Sequence, residues 1–190
     1  MSSQKKVVVV GYGSIGKRHS EILQSMDEIG EVIVLSHLEV QAPLKKIRKL
    51  EEINVINPEY IVVASKTASH FRQLSYIEKN FSGKSILVEK PLFEKFYSLT
   101  IRKNSVFVGY NLRFHPIIQL IKEKIDTKEL WNINIFCGSF LPDWRSGRDY
   151  RESSSARKDS AGGVLLDLSH ELDYVQWLCG KLTPERVSNK

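Results

Sequence analysis

The chain has 190 residues, of which 42% are hydrophobic and 26% charged, and its formal net charge is +6. That length buries a full core as one domain or two small ones, and the composition excludes a disordered, collagen-like or disulfide-stapled chain. The two cysteines, Cys137 and Cys179, make no framework and no zinc spacing, so the expected compartment is a reducing cytoplasm and no metal is expected.

The first element is Val7-Val8-Val9-Val10, a β-branched run suited to a strand buried on both faces of a parallel sheet. At four valines before a glycine it is too short for a signal-peptide core or a membrane span, and no membrane partner is expected. The positive charge is spread along the chain without an arginine-rich recognition helix, so no nucleic-acid partner is expected either.

The glycines after the valine run fall as Gly11-x-Gly13-x-x-Gly16, the spacing of a dinucleotide fingerprint. In that pattern Gly11 permits the tight turn, Gly13 lets the backbone approach a pyrophosphate, and Gly16 lets the next helix pack closely on the strand. The whole loop, with Tyr12, Ser14 and Ile15, is the expected phosphate cradle at a helix N-terminus. Ile15, His19, Ile22, Leu23 and Met26 predict the buried face of that helix.

Residues 31–35 (EVIVL) predict the second strand, which runs into Ser36 and His37 where an NAD site would place a carboxylate for the ribose 2′-OH. This favours a 2′-phosphate, hence NADP over NAD, against the alternative of ordinary loop residues. Residues 44–53 predict a helix with a basic solvent face, and one strand of this half is expected to be abbreviated. Residues 60–64 (YIVVA) form the next buried strand, ending in Ser65-Lys66-Thr67-Ala68-Ser69-His70. Ser65, Thr67 and His70 thus fall at the carboxyl edge, where open α/β sheets bind ligands. Phe71, Leu74, Ile77 and Phe81 give the following helix its apolar face, and residues 85–88 and 106–109 complete the strands. Strands alternating with helices predict a Rossmann-type, doubly wound parallel sheet.

Beyond this the pattern changes. Pro116 opens a helix carrying Ile117, Leu120, Ile121 and Ile125. Residues 131–139 alternate as a strand of an antiparallel sheet, with Trp131, Ile133, Ile135 and Cys137 on one face. Residues 141–163 are a long polar loop, and residues 164–178 read as one helix closed by Gly180. The boundary falls near 109–116, giving a first domain at 1–112 and the first part of an α+β domain at 113–190.

Four stretches carry a family resemblance in chain order: Gly11-x-Gly13-x-x-Gly16, Glu89-Lys90-Pro91, Asn111-x-Arg113-Phe114-x-Pro116, and Gly162-Gly163-x-x-x-Asp167-x-x-His170-x-x-Asp173. Together they resemble the Gfo/Idh/MocA oxidoreductases over essentially the whole chain. Residues 108–116, 141–145 and 167–174 resemble, within that family, members linked to nucleotide-sugar and surface-glycan synthesis. The resemblance implies NAD or NADP as cofactor and hydride transfer to or from a sugar or nucleotide-sugar carbon. It implies Lys90 beside the nicotinamide and substrate oxygen, His170 as the proton-accepting group and Asp167 beside it. Glu89 joins Lys90 on the cofactor side, and Asn111, Arg113, Trp144 and Arg145 fall on the substrate side.

Two departures from the family pattern stand out. Asp167 precedes His170 by three residues where the family has four, and the family's second domain continues for another hundred residues or more. The chain therefore reads as the front part of a longer protein. A homo-oligomer is implied for a full-length member and is not carried to this chain, and a catalytically inactive remnant or nucleotide-binding module stays open. The arginines at 145, 148, 151 and 157, with Lys158, suit a diphosphate, but four acids in the same loop suit a balanced solvated surface equally.

Overall fold

The computed structural model describes residues 4–143, 147, 149–157 and 162–188. It divides into two units, Met1–Gly109 and Tyr110–Lys190. The first unit is a parallel sheet of β1 (Lys5–Val10), β2 (Ile29–Leu35), β3 (Lys45–Ile47), β4 (Tyr60–Val63), β5 (Ser85–Val88) and β6 (Ser105–Val108). The strand order is β3-β2-β1-β4-β5-β6 and every neighbouring pair is parallel. The order turns back at the β1–β4 junction, which makes the carboxyl ends of those two strands the switch point where such sheets bind ligands.

Strand alternation sorts the core into two layers. Val8, Val10, Ile61, Val63, Ile86 and Val88 face one side, where Ile53 of α2 (Ile53–Ile56) and Leu74 and Ile77 of α3 (Thr67–Asn80) cover them. Val7, Val9, Val32 and Val62 face the other side, under Leu23 of α1 (Ser14–Gln24). The valines of β1 are fully buried, as their β-branched run predicts.

Two sequence expectations for this unit are corrected. The buried face of α1 is Gly16, Ser20 and Leu23, while Ile15, Ile22 and Met26 are 45%, 45% and 44% exposed. The helix turns its small residues to the sheet because close approach demands it, and Ser20 is satisfied by donating its hydroxyl to the Gly16 carbonyl at 2.8 Å. The helix expected over 44–53 is instead the short β3, a 3₁₀ turn at Leu50–Glu52 and α2. Backbone pairing of Lys45, Lys46 and Ile47 with β2 outweighs a helical pattern that has few apolar anchors. The abbreviated strand of this half is thus β3.

In the second unit, α4 (Pro116–Lys124) starts at Pro116 as expected. Residues 131–139, expected as a strand, form none, and no strand occurs in this unit among the described residues. A strand needs a partner to pair its N–H and C=O groups, and this segment has none there. The helix expected over 164–178 is two pieces, α5 (Val164–Asp167) and α6 (His170–Cys179), broken where Leu168 leaves helical geometry at φ −103° and ψ 38°. Gly180 closes α6 at φ +88°. No described helix is long and apolar enough to cross a membrane.

Glu78 of α3 is buried and ties that helix to the segment before β6. It accepts from the backbone N–H groups of Arg102 and Lys103, both at 2.8 Å, and from Asn104 Nδ2 at 2.7 Å. Burial alone would raise its carboxyl, but these donors outweigh it and hold the group below the ordinary carboxylate range. A depressed folded-state pKa gives stability above the unfolded value that disappears as pH falls through the folded value. Urea denaturation should therefore show stability falling below about pH 4.3, the ordinary glutamate value. Glu78→Gln should be less stable at neutral pH and lose part of that acid dependence.

Candidate functional site

The glycine loop leaves β1 at its carboxyl end, where the Gly11 N–H donates to the Leu35 carbonyl at 2.9 Å. Gly11 has φ +103°, and a Cβ there would lie 2.6 Å from the Ala64 carbonyl oxygen. A Cβ on Gly16 would collide with the Gly11 carbonyl. Both glycines are therefore required by the chain's own packing. Gly13 is different: its backbone is extended, with φ −74° and ψ −169°, and nothing lies within 4 Å of where its Cβ would be. No contact within the protein explains a glycine there, so the space beside it suits a group that approaches the backbone from outside.

Gly13 is also the N-cap of α1, and no side chain caps that end. The first turn contains no acidic residue, so its N–H groups and the positive dipole end favour an anion. Ser14 and Ile15 are exposed at this end, whereas the Tyr12 ring is buried, with Lys17 Nζ 5.4 Å from its centroid. Of the expected contacts, Tyr12 can thus offer only its backbone. Together the open side of Gly13 and the uncapped helix end fit a pyrophosphate.

After β2, Ser36 is buried and its Oγ accepts from the Leu38 N–H at 2.9 Å, which leaves the hydroxyl proton to donate elsewhere. His37 is exposed. The nearby carboxylate, Glu39, is paired with Lys46 of β3 at 3.0 Å, and that contact holds its pKa below the usual carboxylate range.

The ends of β4 and β5 carry the other expected residues. Ser65 donates its hydroxyl to Gln73 Oε1 at 2.6 Å, and Thr67 opens α3. His70 is 1% exposed, with Nδ1 3.2 Å from the carbonyl oxygens of Pro91 and Leu92 and Nε2 3.1 Å from that of Ser65. Its ring joins the two loops from inside rather than presenting an edge to a ligand. Glu89 and Lys90 are half-buried at the end of β5, and the Lys90–Pro91 peptide bond is cis.

Sequence reasoning missed the partner of Glu89, which is His19 of α1, with Nε2 donating to Oε1 at 2.7 Å. The signal was present in the period of β5. Ile86 and Val88 face α3, so Leu87 and Glu89 face the side that α1 covers.

In the second unit, Asn111 and Arg113 lie on a 3₁₀ turn at Asn111–Phe114. Arg113 forms a two-pronged ion pair with Asp173 of α6, Nε to Oδ2 at 2.8 Å and Nη2 to Oδ1 at 2.5 Å, which raises its pKa. The guanidinium expected on the substrate side is thus committed to tying the turn to α6. His170 is the first residue of α6, and the Tyr110 ring meets it edge-on at 5.7 Å between centroids. Asp167 ends α5, so it and His170 do not share one continuous helical face, contrary to expectation. Trp144 and Arg145, and likewise Arg148 and Lys158, lie outside the described residues. No cluster of metal-ligating side chains occurs among the described residues.

No protein-family model matches the chain. It is 27% identical over 201 residues to a levoglucosan dehydrogenase of Pseudarthrobacter phenanthrenivorans, covering 93% of this chain and 52% of that protein. Among solved structures it resembles the WlbA dehydrogenase of Bordetella pertussis, in complex with NADH and UDP-GlcNAcA, with a TM-score of 0.71 at 18% identity. That match covers 94% of this chain and 56% of the other. It also resembles scyllo-inositol dehydrogenase of Lactobacillus casei, with bound NAD(H) and scyllo-inositol, with a TM-score of 0.68 at 16% identity and 94% and 57% coverage. The chain therefore spans about half the length of the relatives it matches. The parallel sheet shared with these solved structures is the fold that the resemblance of the four motifs to the Gfo/Idh/MocA oxidoreductases implies.

Proposed function

We propose that this chain carries the nucleotide site of an NAD(P)-dependent oxidoreductase acting on a hydroxyl or keto carbon of a sugar or nucleotide-sugar derivative. The observation that carries the reading is the unfilled side of Gly13 at the switch point of the sheet, above an uncapped helix end. The levoglucosan dehydrogenase relative supports a sugar as substrate, and the two solved structures support a nicotinamide cofactor. A bound nicotinamide supplies the acceptor or donor for hydride. Lys90 holds the oxygen that changes oxidation state and offsets its developing negative charge. His170 takes the hydroxyl proton when an alcohol is oxidised. We assign NADP as the better cofactor, because Ser36 and His37 follow β2 where a carboxylate would serve NAD, and Glu39 is paired with Lys46.

A second reading, a nucleotide-binding module without turnover, is favoured by one observation. Residues 131–139 pair with no strand among the described residues, so no sheet is present there to wall a substrate pocket.

Fluorescence titration with NADPH and NADH tests the nucleotide site that both readings share, and turnover of a sugar separates them. Saturable binding, tighter for NADPH, is the expected result, and equal or reversed affinities would remove the NADP assignment. Gly13→Ala should weaken binding about tenfold or more while changing stability by at most about 1 kcal/mol, the scale of a helix cap. Gly16→Ala should instead destabilise the fold itself by about 3 kcal/mol, the scale of an overpacked core. With a sugar substrate in hand, Lys90→Ala should keep cofactor affinity within about twofold and lower turnover about a hundredfold or more. Turnover that survives this change would end the assignment of Lys90.

A further inference from the structure

We propose that His19 is a positioning residue which, through Glu89, holds the Lys90 turn in the shape that receives the nicotinamide half of the dinucleotide. The proposal rests on the nicotinamide-nucleotide reading above.

The Glu89 carboxylate sits in a built seat. His19 Nε2 donates to Oε1 at 2.7 Å, the Lys90 N–H reaches Oε2 at 3.3 Å, and Gly109 at the end of β6 gives it room. A Cβ on Gly109 would come within 3.1–3.2 Å of the carboxylate atoms, so a side chain there would crowd the group out of its place. Three elements thus meet on one carboxylate: α1, the turn after β5 and the end of β6. The two side chains are only 23% and 20% exposed, so the contact is shielded from water and worth more than a surface pair.

Its position gives the pair a task. His19 stands one helical turn after Gly16, and Glu89 directly follows β5, the strand that lies two places from β1, beyond β4. In a sheet of this order the pyrophosphate lies over the β1 loop and the adenosine ribose toward the end of β2. The other half of the dinucleotide must then run over the ends of β4 and β5, where Glu89 and Lys90 lie. Removing the imidazole leaves a largely covered carboxylate with one long backbone donor among the described residues, and it regains its lost hydrogen bond by swinging toward water. The backbone of Lys90, bonded to that carboxylate, moves with it.

The test compares NADH with ADP-ribose, which keeps the adenosine and pyrophosphate but lacks the nicotinamide. Both are titrated against the full chain and its His19→Ala, His19→Leu and His19→Gln variants, each checked for folding by circular dichroism melting. His19→Ala and His19→Leu should weaken NADH about tenfold, the scale of one hydrogen bond to a charged group. They should leave ADP-ribose within about twofold. His19→Gln should restore NADH binding, because its amide N–H reaches nearly the same point as Nε2. If His19→Ala does not fold, His19→Leu, which keeps the bulk without a donor, decides the matter. Unchanged NADH affinity, equal weakening of both ligands, or no recovery with glutamine would overturn the proposal. A folded wild-type chain that binds neither of these ligands nor NADPH would overturn the nucleotide reading itself, and this proposal with it.

Discussion

The first unit depends on one close crossing, that of α1 over the carboxyl end of β1. Gly16 lies against the Gly11 carbonyl, and Gly11 against the Ala64 carbonyl, at distances that no side chain permits. The crossing sets which face of α1 is buried, and so why Gly16, Ser20 and Leu23 point inward while the larger Ile15 and Ile22 do not. It also brings the helix N-terminus to the switch point of the sheet and His19 within reach of Glu89. The site is thus a product of backbone proximity, with the side chains arranged around it.

How much of this was legible in the sequence follows from the strength of each local signal. β1, β4 and β5 were readable because β-branched runs in a sheet covered on both sides leave little ambiguity. β3 was not, because its three residues, two of them lysines, acquire strand geometry only by pairing with β2. The inward face of α1 was misread for a related reason: apolar periodicity locates burial by hydrophobicity, whereas here glycine and serine are buried by geometry. In the second unit the alternation at 131–139 was real, but a strand is a relation between two segments, and periodicity reports on one. The break at Leu168–Ser169 left no mark in the apolar spacing of 164–178, which continues through it.

Several residues singled out for contact with ligands turn out to be struts as well. His70 ties the Ser65 and Pro91–Leu92 loops together through their carbonyl oxygens, and Arg113 ties a turn to α6 through Asp173. A histidine or arginine near a strand end or helix face looks the same in sequence whether its polar atoms point outward or into the framework. The distinction appears only when the acceptors are located. For His70 they are backbone carbonyls, which no pattern of side chains encodes.

The unequal status of the three glycines bears on how such a chain changes over generations. Gly11 and Gly16 answer to the fold, whereas no contact within the described residues demands a glycine at position 13, the one proposed to meet a nucleotide. A lineage that ceased to bind nucleotides but still had to fold would be held to the first and third glycines and released at the second. Substitutions would accumulate first at position 13, and a fingerprint reduced to its outer two glycines would record a lost ligand in an intact scaffold. This chain, with Gly13 in place, carries no such record.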